Sequence, residues 1–323
     1  MDRIIIFTDF STLLVPTILT QATLKAVTGI ESIQIAGICV RNFKKYHHLI
    51  YRHSREFLKT RIKTFFDKTQ HQKFSRPLPI NLEKLARQHG FKILIPPDEN
   101  INHSKFIRQL RTEFEPTVAL SFYCLQKFSP DLLKTFKYSV NYHNGLLPTY
   151  RGLMATCWSV YHQDSATGYT FHRLNKKIDK GNTLLQGTVP IKTDSGIPDL
   201  EFKKAVQASK NILGLMEIIM KREPGQVQAG SGNYFSKNDS KKITIIDKPS
   251  NYSHDELINR LRAFGTLLMN IEGVWYDVTR LEELHTPPNS SEIYFQTSDV
   301  RIMRPSRFRF LPFFMYKILK RTG

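Results

Sequence analysis

Thr117-Val118-Ala119-Leu120-Ser121-Phe122-Tyr123, then Ser129-Pro130-Asp131, then Tyr138-Ser139-Val140-Asn141-Tyr142-His143 lie near the middle of the chain. The two outer segments are short, nearly continuous apolar runs rich in β-branched and aromatic residues, the composition of strands rather than helices. Between them, Pro130 stands where proline suits the first turn of a helix, because the backbone N–H it lacks would have no partner there. Strand, helix, strand with apolar strands predicts a parallel sheet covered on both faces.

Upstream, residues 4–7 are a short apolar run, 15–27 carry apolar residues at helical spacing behind Pro16, and 33–40 are β-rich, a βαβ opening. Residues 81–89 are expected to form a helix ended by Gly90, 91–95 a strand, and 104–114 a helix capped by Ser104. Downstream, a β-like pair at 169–174 and 183–192 precedes one long amphipathic helix at about 200–221, broken by Glu223-Pro224-Gly225. The remainder alternates turn signals with short strands at 242–246, 274–278 and 292–295 around one helix, 253–264, whose Ser253-His254-Asp255-Glu256 start has the capping-box pattern. The expected architecture is α/β: a Rossmann-like, mostly parallel sheet over residues 1–225, and a smaller strand-rich C-terminal domain over 229–323.

The chain has 323 residues, 41% hydrophobic and 23% charged, which suits a folded body with a full core and excludes wholesale disorder. Cys39, Cys124 and Cys157 are widely spaced and form no CxxC pair, arguing against a disulfide framework or a cysteine metal site. No metal is expected. The early Asp9 interrupts the first apolar run, and no run of eighteen apolar residues follows, so cytoplasm is the expected compartment. The outlier is charge: 47 Lys and Arg against 28 Asp and Glu, a net +19. Ten basic and two acidic residues lie between Lys44 and Arg76, read as an amphipathic helical insertion at about 42–76. Seven more basic residues follow Asp299 in an aromatic tail with no acid. Such a field attracts a polyanion: RNA, a phosphorylated small molecule, or an anionic membrane surface met through the tail.

In an open α/β sheet, ligands bind at the carboxyl ends of the strands, where Asn141 and His143 stand. Positions i and i+2 of a strand project to one side, so a carboxamide and an imidazole can aim at one small volume, an arrangement suited to an oxyanion. Asp179 follows 38 residues after Asn141 in a loop that closes on Gly181. A carboxylate brought back to the pair would orient the histidine and accept a proton. His162 and His172 lack a partner pattern and are expected to be structural, although His172 could line the site; Cys124 and Cys157 are expected to be small buried hydrophobes. The first strand is followed by Thr8-Asp9-Phe10-Ser11, with no G-x-G-x-x-G, which excludes a dinucleotide dehydrogenase.

Asn141-x-His143-x-x-Leu146-Leu147-Pro148-x-Tyr150-Arg151-Gly152, then Thr167-Gly168-Tyr169-Thr170, then Ile178-Asp179-x-Gly181 resembles the folate-dependent formyltransferase family. The resemblance covers the layout of about residues 1–220 and is strongest over 138–186. It implies that Asn141, His143 and Asp179 are catalytic and that the donor is 10-formyltetrahydrofolate. It also implies a folate pocket formed by Tyr123, Leu125, Lys127 and Ile178. Its members formylate methionyl-tRNA, glycinamide ribonucleotide or amino sugars; charge alone puts methionyl-tRNA slightly ahead here, with a nucleotide-linked amino sugar as the alternative. Hydrolysis of formyl-folate and a non-catalytic RNA- or membrane-binding scaffold are further alternatives. Two stretches depart from the transfer-RNA enzymes: His143 is followed by Asn144-Gly145 rather than Gly-Ser, and no Pro-Trp-Pro-Gly turn follows the second-domain helix.

Overall fold

A computed structural model describes residues 1–9, 14–41, 81–289, 291–312 and 315. The expected basic helical insertion at 42–76 lies outside the described residues. The chain divides into two compact units, one built from residues 1–148, 168–189 and 201–231 and the other from 149–167, 190–200 and 232–323.

The strands of the first part of the chain are β1 (Asp2–Asp9), β2 (Ile33–Arg41), β3 (Lys92–Leu94), β4 (Val118–Phe122), β5 (Tyr138–His143), β6 (Tyr150–Gly152), β7 (Ala166–Arg173) and β8 (Thr183–Pro190). All but β6 form one sheet in the order β3-β2-β1-β4-β5-β7-β8. The ladders from β3 to β5 are parallel and β7 runs antiparallel to β5. Alternate residues go to opposite faces: Ile4 and Ile6 join Leu19, Val118, Leu120 and Ile219 on one side, while Ile5 and Phe7 join Phe106, Leu110, Ala119 and Leu132 on the other. Burial on both faces is why these strands are continuously apolar, each large side chain contributing roughly 1.5–3 kcal/mol.

The helix Leu82–His89 starts at an Asn81 cap and ends at Gly90 in the left-handed conformation, as its sequence predicts. Ser129 caps Pro130–Leu133, a single turn. His103, not Ser104, caps Ser104–Gln109: its imidazole Nδ1 accepts from the Lys105 amide. The single helix expected near 200–221 is two, Ile197–Lys210 and Ile212–Lys221. Between them Asn211 leaves the helical conformation and donates its carboxamide to the Tyr169 hydroxyl at 2.6 Å.

In the second unit, β9 (Asn233–Phe235) pairs with β6. Residues 242–246 are not one strand, because Ser236 and Asp239 form a full capping box that starts the helix Lys237–Thr244, leaving only β10 (Ile245–Ile246) extended. A second sheet has the order β10-β11-β12-β14-β13, with β11 (Leu267–Ile271), β12 (Val274–Glu283), β13 (Phe295–Gln296) and β14 (Ile302–Leu311). The tail is strand over Ile302–Leu311, where β14 pairs along β12 and leaves Phe308 and Phe310 exposed. No helix among the described residues is long and apolar enough to cross a membrane.

Candidate active site

The carboxyl end of β5 presents Asn141 and His143 two residues apart, and the antiparallel partner β7 sets His172 opposite Asn141 and Thr170 opposite His143. Beyond β7 the chain turns through residues 174–182 and returns, closed by the Arg173 amide on the Asn182 carbonyl at 2.8 Å. Asp179 sits in that turn with φ +52°, a left-handed conformation that aspartate tolerates better than most residues. The turn needs Gly181: a Cβ there would lie 1.7 Å from the Arg173 carbonyl oxygen.

The loop returns the carboxylate to the strand end. Asp179 Oδ2 lies 3.5 Å from His143 Nδ1, and Oδ1 lies 3.5 Å from His172 Nε2. His172 Nε2 is also 3.1 Å from the Asn141 carboxamide nitrogen, and its Nδ1 is 2.9 Å from the Arg173 carbonyl. A carbonyl can only accept, so Nδ1 of His172 carries a proton; Nε2 is then free to accept from Asn141. The second N–H of that carboxamide remains for a ligand. Both histidines are buried.

Asn141, His143 and Asp179 therefore converge, and His172, expected to be structural, stands among them as a fourth group. Its partners come from a cross-strand register, and chain spacing does not reveal a register. His162 lies elsewhere, 3.2 Å from the Tyr150 hydroxyl in the second unit. Gln228 was not legible at all: its carboxamide donates to the carbonyls of Asp179, 2.9 Å, and Gly181, 2.7 Å, tying down the carboxylate's turn. Cys157 is buried as expected, whereas Cys124 is half-buried. Desolvation pushes the Cys124 thiol up to about 11, so it is protonated at neutral pH and no thiolate nucleophile.

The expected folate residues sit at the same sheet edge. Tyr123 follows β4 with φ +66°, Leu125 is 57% exposed, Lys127 is exposed, and Ile178 beside Asp179 is 43% exposed. The Leu125 loop is fixed: Gln126 accepts from the Ile101 amide at 2.8 Å and donates to Asn100 at 3.1 Å, while Asn102 donates to the Lys127 carbonyl at 2.9 Å. Large apolar side chains held in water by an ordered loop suit a flat, partly apolar ligand. Among the described residues no group of three or more His, Cys, Asp or Glu could hold a metal.

Residues 68–215 match the model of the formyl transferase family. Among curated proteins, the bifunctional polymyxin resistance protein ArnA of Wigglesworthia glossinidia brevipalpis is 33% identical over 187 residues, 57% of this chain and 28% of that protein. The GDP-perosamine N-formyltransferase of Brucella melitensis biotype 1 is 26% identical over 56% of this chain and 71% of its own. A methionyl-tRNA formyltransferase of Limosilactobacillus fermentum is 30% identical over 62% of this chain and 65% of its own. Among solved structures, a sugar N-formyltransferase from Shewanella sp shares the fold with TM-score 0.60 at 17% identity, over 88% of this chain and all of that one. An N-formyltransferase from Helicobacter canadensis, solved with folinic acid and dTDP-3-aminofucose, does so with TM-score 0.53 at 15% identity, over 94% and 98% of the two chains.

Proposed function

We propose that this chain, which carries a formyl transferase domain, moves a formyl group from 10-formyltetrahydrofolate to a primary amine. The observation that carries the reading is the convergence of Asn141, His143 and Asp179 at the end of β5, each within 3.5 Å of a neighbour in one cluster with His172. The amine nitrogen attacks the formyl carbon, and its electron pair displaces the C=O pair onto oxygen. Asn141 and the His143 ring donate to that oxyanion, each donor worth on the order of 10²–10³ in rate. With Asp179 facing Nδ1, a ring that also donates through Nε2 is an imidazolium, for which carboxylate and oxyanion are both counter-charges. Asp179 takes a proton from the attacking amine, directly or through water, and the proton passes to the folate nitrogen as the C–N bond breaks. Tetrahydrofolate and a formamide are released. Leu125 and Ile178 would cover the donor's pterin, with Tyr123 and Lys127 beside it.

For the acceptor, an amino sugar carried on a nucleotide is the reading we adopt. Its support is that a sugar N-formyltransferase of known structure shares this fold over 88% of the chain; by sequence, a GDP-perosamine enzyme and a transfer-RNA enzyme match comparable shares, 56% and 62%. The net charge of +19 favours the second reading, methionyl-tRNA. Incubation with formyl-folate and either a nucleotide-linked amino sugar or charged initiator tRNA, with mass spectrometry of the amine, separates them. Formylation of the sugar is expected. Formylated methionyl-tRNA alone would replace that acceptor, and formate with neither amine modified would replace transfer by hydrolysis.

A further inference from the structure

The loop that follows His143 is gripped by several side chains, and one of them is a fully buried charge. Lys204 lies on the buried stripe of the helix Ile197–Lys210, one turn from Leu200 and one from Ala208, at a position where an apolar residue would suffice for packing. Its ammonium donates to the Asn144 carbonyl at 3.0 Å. One turn earlier on the same helix, Glu201 accepts from the Asn144 carboxamide at 3.0 Å. That carboxamide's oxygen accepts in turn from the Tyr142 hydroxyl at 3.3 Å. The helix thus holds both the backbone and the side chain of the residue next to His143.

The rest of the loop is held from the sheet. Thr170 donates to the Gly145 carbonyl at 2.7 Å and accepts from the Leu147 amide at 3.2 Å, and Gln186 donates to the Leu147 carbonyl at 2.8 Å. The carbonyls of residues 144, 145 and 147 are each met by a side chain, and Lys204 meets the one closest to the imidazole. Taking an ammonium out of water is costly unless acceptors meet it, and the Asn144 carbonyl is one such acceptor.

We infer that Lys204 is a positioning residue for formyl transfer: by holding the Asn144 peptide it aims His143, without touching substrate. The inference rests on the proposed formyl transfer, and the parent chain's turnover tests that reading separately. The variants are Lys204→Met, which fills the space and cannot donate, and Lys204→Gln, a neutral donor. Readouts are kcat and KM for formyl-folate, thermal unfolding, and the His143 imidazole ¹⁵N resonances in the ligand-free protein. In a folded Lys204→Met chain, kcat falls roughly 10- to 100-fold, the scale on which a small misplacement acts, KM for the donor stays within about twofold, and the His143 resonances shift; Lys204→Gln recovers part of kcat. Parental kcat and unshifted His143 resonances in Lys204→Met overturn the inference, as does a loss confined to KM. Failure of both variants to fold would make Lys204 a folding residue and overturn it too.

Discussion

At Asp179 the demands of backbone and chemistry meet in one residue. Its turn is left-handed, its neighbour Gly181 touches the Arg173 carbonyl, and its carboxylate faces two imidazoles. Asp179→Asn preserves the shape and removes the proposed proton acceptor; kcat is expected to fall about 10²–10⁴-fold with the melting temperature little changed, and near-normal turnover would sink the assignment. Gly181→Ala forces the turn to move, so both stability and turnover should drop, measured by calorimetry and a transfer assay on one preparation. Gln228→Ala removes two hydrogen bonds to the same turn and should cost about 1–2 kcal/mol, with a larger effect on kcat than on donor KM. Titration adds a check in solution. Burial raises the Cys124 thiol from 9.0 to about 11, and burial raises the Tyr142 phenol well above its ordinary value. A raised folded-state value for a group neutral when protonated gives stability that is complete below the unfolded pKa and lost as pH climbs through the folded one. The melting temperature should therefore hold to about pH 9 and fall toward pH 11, and Cys124→Ser should make that decline shallower.

Among elements, strands were easier to place than helix limits. β4 is buried on both faces and announces itself by a run, Val118 to Phe122, that is apolar but for Ser121. Helix limits depend on which polar group reaches which backbone amide, a choice that several nearby residues can win. His103 takes the cap expected of Ser104, and Ser236 starts a helix where a strand was expected. At Ser253 half of the capping box forms: Ser253 accepts from the Glu256 amide at 3.2 Å, while the Glu256 carboxylate pairs with Arg260 at 2.6 Å. Ser253→Ala should cost about 1 kcal/mol, read from denaturant unfolding. The break at Asn211 serves the buried Tyr169 hydroxyl. Asn211→Leu would favour one continuous helix but strand that hydroxyl without its donor, so a net loss of stability is expected.

Over the whole molecule, the excess of positive charge is a property of composition, and its effect on an anionic acceptor follows from the field alone. Acceptor KM should rise with salt while donor KM responds less, and Lys59→Glu, Arg61→Glu and Lys63→Glu together should flatten that dependence; an unchanged slope would assign the segment no part in acceptor binding. The alternation of apolar strands with helices was enough to give the α/β class, the parallel sheet and the sheet edge that carries the site, because burial on two faces and helical periodicity are local properties of a chain. Asn141, His143 and Asp179 were also legible, since a strand's period of two and a motif's spacing are written along the sequence. His172, Gln228 and Lys204 were not. Their partners lie across a β-ladder, in a returning turn or in the loop after His143, and only folding brings those donors and acceptors within hydrogen-bonding distance.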